Sequence, residues 1–474
     1  MIEVSGGKSV NFSIPDILEP DIPDYSCSIT SFGAVGDGMT VNTEAIRQAV
    51  DACVKAGGGT VVIPAGMWLT GPIRLESRIR LHTERGAVIL FSSRKEDYPL
   101  IETQWEGNRA VRCMPPIYGE RLRHVAVTGE GLFDGNGDAW RPVKRFKMTA
   151  KRWAELIRSG GAVDEAGEIW WPEEAALQGA SAVRELDRRG APAGEYEPYK
   201  RFLRPVLLGL YECSHVLLSG PTFQNSPAWN LHLWGCEHVT LRSAHIRNPW
   251  YAQNGDGLDL ESCRYALVED CTFDVGDDAI CMKSGKNEQG RMLGKPVQDV
   301  IIRGCTVYHG HGGFVVGSEM SGGARNMLVE DCVFIGTDIG LRFKSTRGRG
   351  GVVENIVIRN IRMKEIEGAA ISFNLYYGIS GEDGELEAVP VTEETPEFRN
   401  IAIEDTVCIG AQRAVELIGL PERPLHHMEF KNVKLSSEQG VFCRYAEDIV
   451  FEDLEIRVET GPKWMISHCD RISR

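Results

Sequence analysis

At 474 residues, with 42% hydrophobic and 25% charged residues, the chain has the composition of an ordinary globular protein. A formal net charge of −15 argues against a nucleic-acid partner, because phosphate binding needs a basic surface. No apolar run reaches the length that spans a bilayer. The 13 cysteines are scattered without a CxxC pair, so they indicate neither a disulfide framework nor a zinc site.

The N-terminal stretch MIEVSGGKSVNFSIPDILEP has neither a basic n-region nor an apolar h-region, which reads as no signal peptide. A cytoplasmic protein is the default expectation, with secretion left open. Residues 25–75 read as a cap. Within it, residues 42–56 place apolar side chains at helical spacing, start on a polar residue and stop at Gly57-Gly58-Gly59. The strand-like TVVIPAGMWL follows. A helix there would cover the open end of a solenoid, which is otherwise a bare sheet edge.

Residues 140–203 interrupt the pattern of the rest. WRPVKRFKMTAKRWAELIRSGG is basic and aromatic, and IWWPEEAALQGASAVRELDRR reads as loop plus helix. We take this segment as an insertion on one coil and not as a domain with its own core.

From 204 to 460 the chain is one repeated unit of nine residues. It reads HVLLSGPTF from His215, HVTLRSAHI from His238, YALVEDCTF from Tyr265 and DVIIRGCTV from Asp299. It continues from Asn326, Asn355, Asn400, His427 and Asp448, and HVAVTGEGL from His124 is an earlier, weaker copy. Successive units start 21 to 45 residues apart, so strands of constant length alternate with loops of variable length. The sixth position is Ser243, Asp270, Gly304, Asp331, Asn360, Asp405, Asn432 and Asp453. These residue types tolerate left-handed backbone, so a sharp bend is expected there. The next position holds Cys271, Cys305 and Cys332 in register with Ala244, Ile361 and Thr406, and reads as packing inside a narrow coil. Units that cannot bury an apolar face alone must stack. The expectation is all-β: a single-domain right-handed parallel β-helix over residues 1–474 with an N-terminal helical cap. The Leu and Asn periodicity of leucine-rich repeats is absent, and propeller blades need longer units.

Four segments stand out on this frame: Asn254-Gly255-Asp256, Gly276-Asp277-Asp278, Gly310-His311-Gly312 and Arg342-Phe343-Lys344. Asp256 and Asp278 are about one coil apart, and coils stack at roughly 4.8 Å, so these carboxylates should be neighbours. One of a close pair is expected to hold a proton, which suits a general acid, while an ionised partner activates water. Arg342 and Lys344 alternate on a strand and share a face, where they can bind a carboxylate. With Arg347 and Arg349 they form the local basic cluster that an acidic chain needs to hold an acidic ligand. Three carboxylates could also bind Ca²⁺.

The ordered set resembles the family 28 glycoside hydrolases, the polygalacturonase group, whose signature is Asn-Thr-Asp, Gly-Asp-Asp, Gly-His-Gly and Arg-Ile-Lys. The chain departs from it at Gly255 and Phe343, neither a reacting group. FGAVGDGMTVNTEAIRQAV near the start, NSPAWNLH at 225–232 and DDAICMKSG at 277–285 extend the resemblance over nearly the whole chain. It implies hydrolysis of α-1,4-linked galacturonic acid by inversion. Asp277 would be general acid, Asp256 and Asp278 would activate water, and His311 would support the acid. Arg342, Lys344, Asn254, Lys283 and a tyrosine, Tyr377 before Tyr376, would bind substrate. Inverting geometry sets carboxyl groups roughly 6.5–9.5 Å apart. The resemblance implies no metal or other cofactor and a galacturonate oligosaccharide as partner, with no membrane; a homo-oligomer stays open. The insertion walling one end of the cleft suggests exo action. Hydrolysis of a rhamnogalacturonan or xylogalacturonan linkage, a Ca²⁺-dependent lyase and a non-catalytic polysaccharide-binding β-helix are the alternatives.

Overall fold

The computed structural model of the protein describes residues 1–7, 10–378 and 387–474. Short strands pair in parallel with the strand one coil earlier and one coil later, giving three ladders of a parallel β-helix. In one ladder Leu208–Tyr211, Leu231–Trp234, Leu258–Glu261 and Asp278–Lys283 lie side by side. A second contains Ser214–Ser219, Glu237–Arg242, Arg264–Glu269 and Val297–Arg303. The third starts with Thr222–Gln224, His245–Arg247 and Thr272–Asp274.

The repeated unit spans the second and third ladders, and its bends fall where the sequence predicts them. Every residue of the sixth-position column has positive φ, from Asp405 at 47° to Gly304 at 64°. The cysteines after it are buried, as are Ala244, Ile361 and Thr406. The opening residue of each unit is left-handed as well, from His124 and His215 through Asn400 to Asp448, which the sequence reading did not anticipate. Strain at that position is offset by stacking on the next coil. His124, His215, His238 and Tyr265 form a column with ring centroids 4.6, 4.9 and 5.0 Å apart. Farther along, Asn326 donates to Asp299 at 3.0 Å and Asn355 to Asn326 at 3.3 Å.

At the N-terminal end, helix α1 (Thr43–Lys55) buries Ile46, Ala49, Val50 and Cys53 in the continuous core of the coils. Asn42, expected to open it, leaves the helix uncapped by its side chain, which instead bonds the backbone of Val35. A hairpin of Ile2–Gly6 and Val10–Ile14 lies across the second ladder. It covers Ile301, Leu328, Val357 and Ala402 with Val4, Val10 and Ile14. Those four outward positions sit in three-residue apolar runs, so the broken alternation was the signal for a covered face.

The insertion contains α2 (Ala150–Arg158), α3 (Glu174–Arg188) and a three-stranded sheet of very short strands. Its two apolar clusters are each completed by residues outside it. Tyr98, Val111 and Cys113 join Trp140, Val183 and Leu186, and Tyr251 joins Val143, Trp153 and Trp170. A further hairpin, Leu100–Trp105 with Asn108–Cys113, stands beside it. No helix among the described residues is long and apolar enough to cross a membrane.

Candidate active site

The outward face of the first ladder, with the turns that lead into its strands, carries the chemistry. Parallel register places His232, Asp259, Cys281 and Val315 in one row that continues to Arg342. Trp234, Glu261 and Lys283 form the adjacent row. The three loop motifs occupy successive turns and are held together by backbone bonds. Gly257 donates to the Asp278 carbonyl at 2.9 Å, and His311 to the Asp277 carbonyl at 2.8 Å. Two glycines make this packing possible. A Cβ on Gly255 would lie 2.6 Å from that of Ala252, and one on Gly312 would meet the Val315 side chain at 2.4 Å and Arg342 at 3.3 Å.

Asp256, Asp277 and Asp278 each place an oxygen within 4.8 Å of the other two. The cause is covalent and architectural: Asp277 and Asp278 are adjacent in the chain, and Asp256 lies one coil away. Asp256 is 3% exposed. Burial, then the charges of Asp277 and Asp259, push its pKa well above the ordinary carboxylate range, against the opposing pull of Lys283. Asp277 moves the other way. Burial opposes its charge, but the His311 hydrogen bond and the charges of His311, Lys344 and Lys147 prevail and lower it. The protein's own charges therefore favour a proton on Asp256 over one on Asp277.

His311 faces Asp277 with Nδ1 3.1 Å from Oδ1. Lys344 donates to Asp278 Oδ2 at 2.7 Å, and Arg342 lies 3.4 Å from Oδ1 while also donating to the His311 carbonyl at 3.1 Å. Tyr377 packs against both cations, its ring centroid 5.8 Å from the Arg342 guanidinium and 5.1 Å from Lys344 Nζ. Tyr376, the alternative, is buried in the core. The carboxylates are close enough to ligate a divalent cation, yet Asp278 is already faced by two side-chain cations.

Lys283 reaches Asp259 at 3.3 Å, Glu319 at 3.4 Å and Asp256 at 3.8 Å, and its Nζ lies 4.4 Å from the Trp229 ring centroid. It neutralises buried acids. Asp259 is pushed up to about 7 by burial, with Lys283 and His232 opposing. Glu319 falls to about 2, burial being outweighed by Lys283 and Lys344. Asn254 accepts from Arg204 at 3.0 Å at the edge of the cleft.

The expected basic cluster of four is split. Only Arg342 and Lys344 reach the carboxylates; Arg347 is bound by Glu422 at 2.7 Å, and Arg349 by the Ser318 carbonyl at 3.0 Å and by Asn287. The chain after Lys344 leaves the strand, so the later arginines follow a loop instead of the sheet face. Sequence reasoning missed Asp259, Glu319, Trp105 and Lys147. Trp105, on the hairpin, stacks on Trp229 with centroids 4.9 Å apart. Lys147, in the insertion, donates to the Gly276 carbonyl at 3.0 Å and lies 3.3 Å from His311 Nε2. Its only sequence signal was the basic character of that segment.

Hairpin and insertion together wall a cleft of about 260 Å³ beside Asn254, lined among others by Trp105, Arg112, Lys144, Trp171 and Arg204. Arg204 is held by the Pro227 and Gln253 carbonyls, and burial lowers its guanidinium to about 9. Such a pocket suits an anionic group.

Clustered carboxylates beside side-chain cations, set along the outer sheet face of a parallel β-helix, are an arrangement suited to glycoside hydrolysis. The family pattern described as glycosyl hydrolases family 28 matches residues 194–451. A probable polygalacturonase of Vitis vinifera is 29% identical over 420 residues, covering 87% of this chain and 74% of the relative. An exo-poly-alpha-D-galacturonosidase of Dickeya chrysanthemi is 27% identical over 448 residues, 90% of this chain and 70% of the relative. The crystal structure of a hyperthermoactive exopolygalacturonase from Thermotoga maritima superposes with a TM-score of 0.78 at 30% identity, covering 93% of this chain and 94% of that one. The chain belongs to glycosyl hydrolases family 28, and it is a glycoside hydrolase.

Proposed function

We propose that the protein hydrolyses the α-1,4 bond of oligogalacturonides with inversion, removing single galacturonic acid units from the non-reducing end. The observation that carries the exo reading is the cleft beside Asn254, which takes walls from both the insertion and the hairpin. An endo enzyme needs a groove open at both ends. The names of the Dickeya and Thermotoga relatives favour the same mode.

In this reading the galacturonate carboxylate binds Arg342, with Tyr377 beneath the sugar. Asp277 protonates the leaving oxygen, and Asp256 and Asp278 order the attacking water. Both oxygens of Asp278 already face cations, which suits a base that orients water better than a nucleophile that must reach carbon. Inversion is read from the anomer first formed, followed by proton NMR during the opening minutes. Retention there would replace water attack with a covalent intermediate.

As general acid Asp277 must carry the proton in the complex, although in the free enzyme the surrounding charges shift Asp277 down and Asp256 up. A bound galacturonate anion offsets the Lys344 and Arg342 charges and so raises Asp277. The expected result is a basic limb at higher pH in kcat than in kcat/KM, because the first reports the complex and the second the free enzyme. Coincident limbs would show that substrate does not move the proton.

Chromatography of the products from defined oligogalacturonides tests the whole reading. Monomer is expected from the first minutes, with the substrate shortened one unit at a time. A ladder of intermediate oligomers from the start would make the enzyme endo-acting. No cleavage of any oligomer would move the substrate to another pectin linkage.

A further inference from the structure

The insertion does more than wall the cleft: one of its side chains enters the catalytic cluster. Lys147 sits at the end of the short turn Arg145–Lys147 and is 9% exposed. Its ammonium donates to the Gly276 carbonyl, at the start of the turn carrying Asp277 and Asp278, and meets His311 Nε2 at 3.3 Å. An ammonium has three donors and no lone pair. The contact therefore requires Nε2 to accept, which leaves the ring proton on Nδ1, where it points at Asp277 Oδ1.

The other charged groups around this pair are Asp338, 3.7 Å from His311 Nε2 on the neighbouring strand, and Arg342, which holds the His311 carbonyl. Lys344, Asp256 and Asp278 face the pair from the coils, and Lys144 faces Lys147 from within the insertion. Asp338 would accept a proton from Nε2 and so favours the opposite tautomer. Lys147 and Asp338 compete for the same ring nitrogen, and the shorter contact belongs to Lys147.

We propose that Lys147 is a positioning residue that holds His311 as the Nδ1–H tautomer donating to Asp277, and that ties the Gly276–Asp278 turn to the insertion. The proposal rests on the galacturonan-hydrolase reading for its kinetic consequence but not for its structural one. Partners that orient metal-binding histidines are typically worth about 10–100-fold, and an effect of that order is expected here.

Two variants separate donor from charge. Lys147→Gln keeps an N–H for His311 Nε2, whereas Lys147→Met keeps only the bulk. The first readout needs no substrate: nitrogen shifts of His311 in ¹⁵N-histidine-labelled protein, assigned with His311→Asn. Wild type and the Gln variant are expected to show the Nδ1–H signature and the Met variant a shift toward Nε2–H. On digalacturonate the Met variant should lose about 10-fold or more in kcat with little change in KM. The Gln variant should recover most of it. Both should move the basic limb of kcat/KM to higher pH, since a positive charge facing Asp277 and Asp256 is gone from each. An unchanged His311 signature in the folded Met variant overturns the proposal, as does a loss confined to KM. Absence of oligogalacturonide cleavage by wild type would defeat the substrate reading while leaving the nitrogen result to decide the role of Lys147.

Discussion

Replacing Asp277 by Asn is expected to lower kcat by about 10²–10⁴-fold, the usual worth of a positioned proton donor. This corresponds to roughly 3–5 kcal/mol of transition-state stabilisation. The Asn oxygen still accepts from His311 Nδ1, so the turn and the thermal midpoint should survive. The measurement is the initial rate of galacturonic acid release, with circular dichroism and melting as controls. A variant keeping more than a tenth of wild-type activity would show that Asp277 is not the acid. Asp256, where the protein's own charges favour the proton, would then be the donor, and Asp256→Asn would give the larger loss.

The second large effect is on stability. Lys283→Met removes the cation that Asp259, Glu319 and Asp256 share in a site where Lys283 is 5% exposed. Removing one partner from a buried ionic group typically costs about 3–5 kcal/mol, because the remaining charge has lost its compensation. The expected result is a lower urea midpoint near neutral pH, with the deficit shrinking on acidification. Asp259, with its folded pKa at about 7, lies above the unfolded value of roughly 3.9. Its stabilising contribution is therefore complete below the unfolded value and lost as pH rises through about 7. Without Lys283 these acids hold protons more tightly, so the variant gains more than wild type from pH 7 to 5. An equal deficit at both pH values would mean that lost packing against Trp229, not charge, is the cause.

Much of this site was legible because the repeat acts as a ruler. The left-handed sixth position marks each coil, so motifs at similar offsets from it had to fall on adjacent turns. The same ruler separated Tyr377 from Tyr376 no better than a guess, since both lie in the turn past the strand that ends at Asn374, where strand alternation no longer tells core from cleft. Where the chain leaves the coil the ruler fails. Trp105 and Lys147 arrive from a hairpin and an insertion whose return paths are set by their own packing, and no interval in the sequence records where their tips land. Glu319 lies just beyond a strand end, where its role depends on the path of one loop. The opening column was visible as a pattern of His, Tyr, Asn and Asp, but its left-handed backbone was not. Histidine and tyrosine accept that conformation here because each ring rests on the one below.

The contact between Lys147 and the catalytic turn also bears on how such an enzyme could change its mode of attack. Trimming the insertion would seem the simple route from a terminal-unit enzyme to one that cuts within a chain. Here that deletion would also remove an ammonium from behind His311 and a tether from the Gly276 carbonyl. Product pattern and turnover are thus wired to one segment, and a shortened descendant would begin as a slower enzyme until another donor reached Nε2.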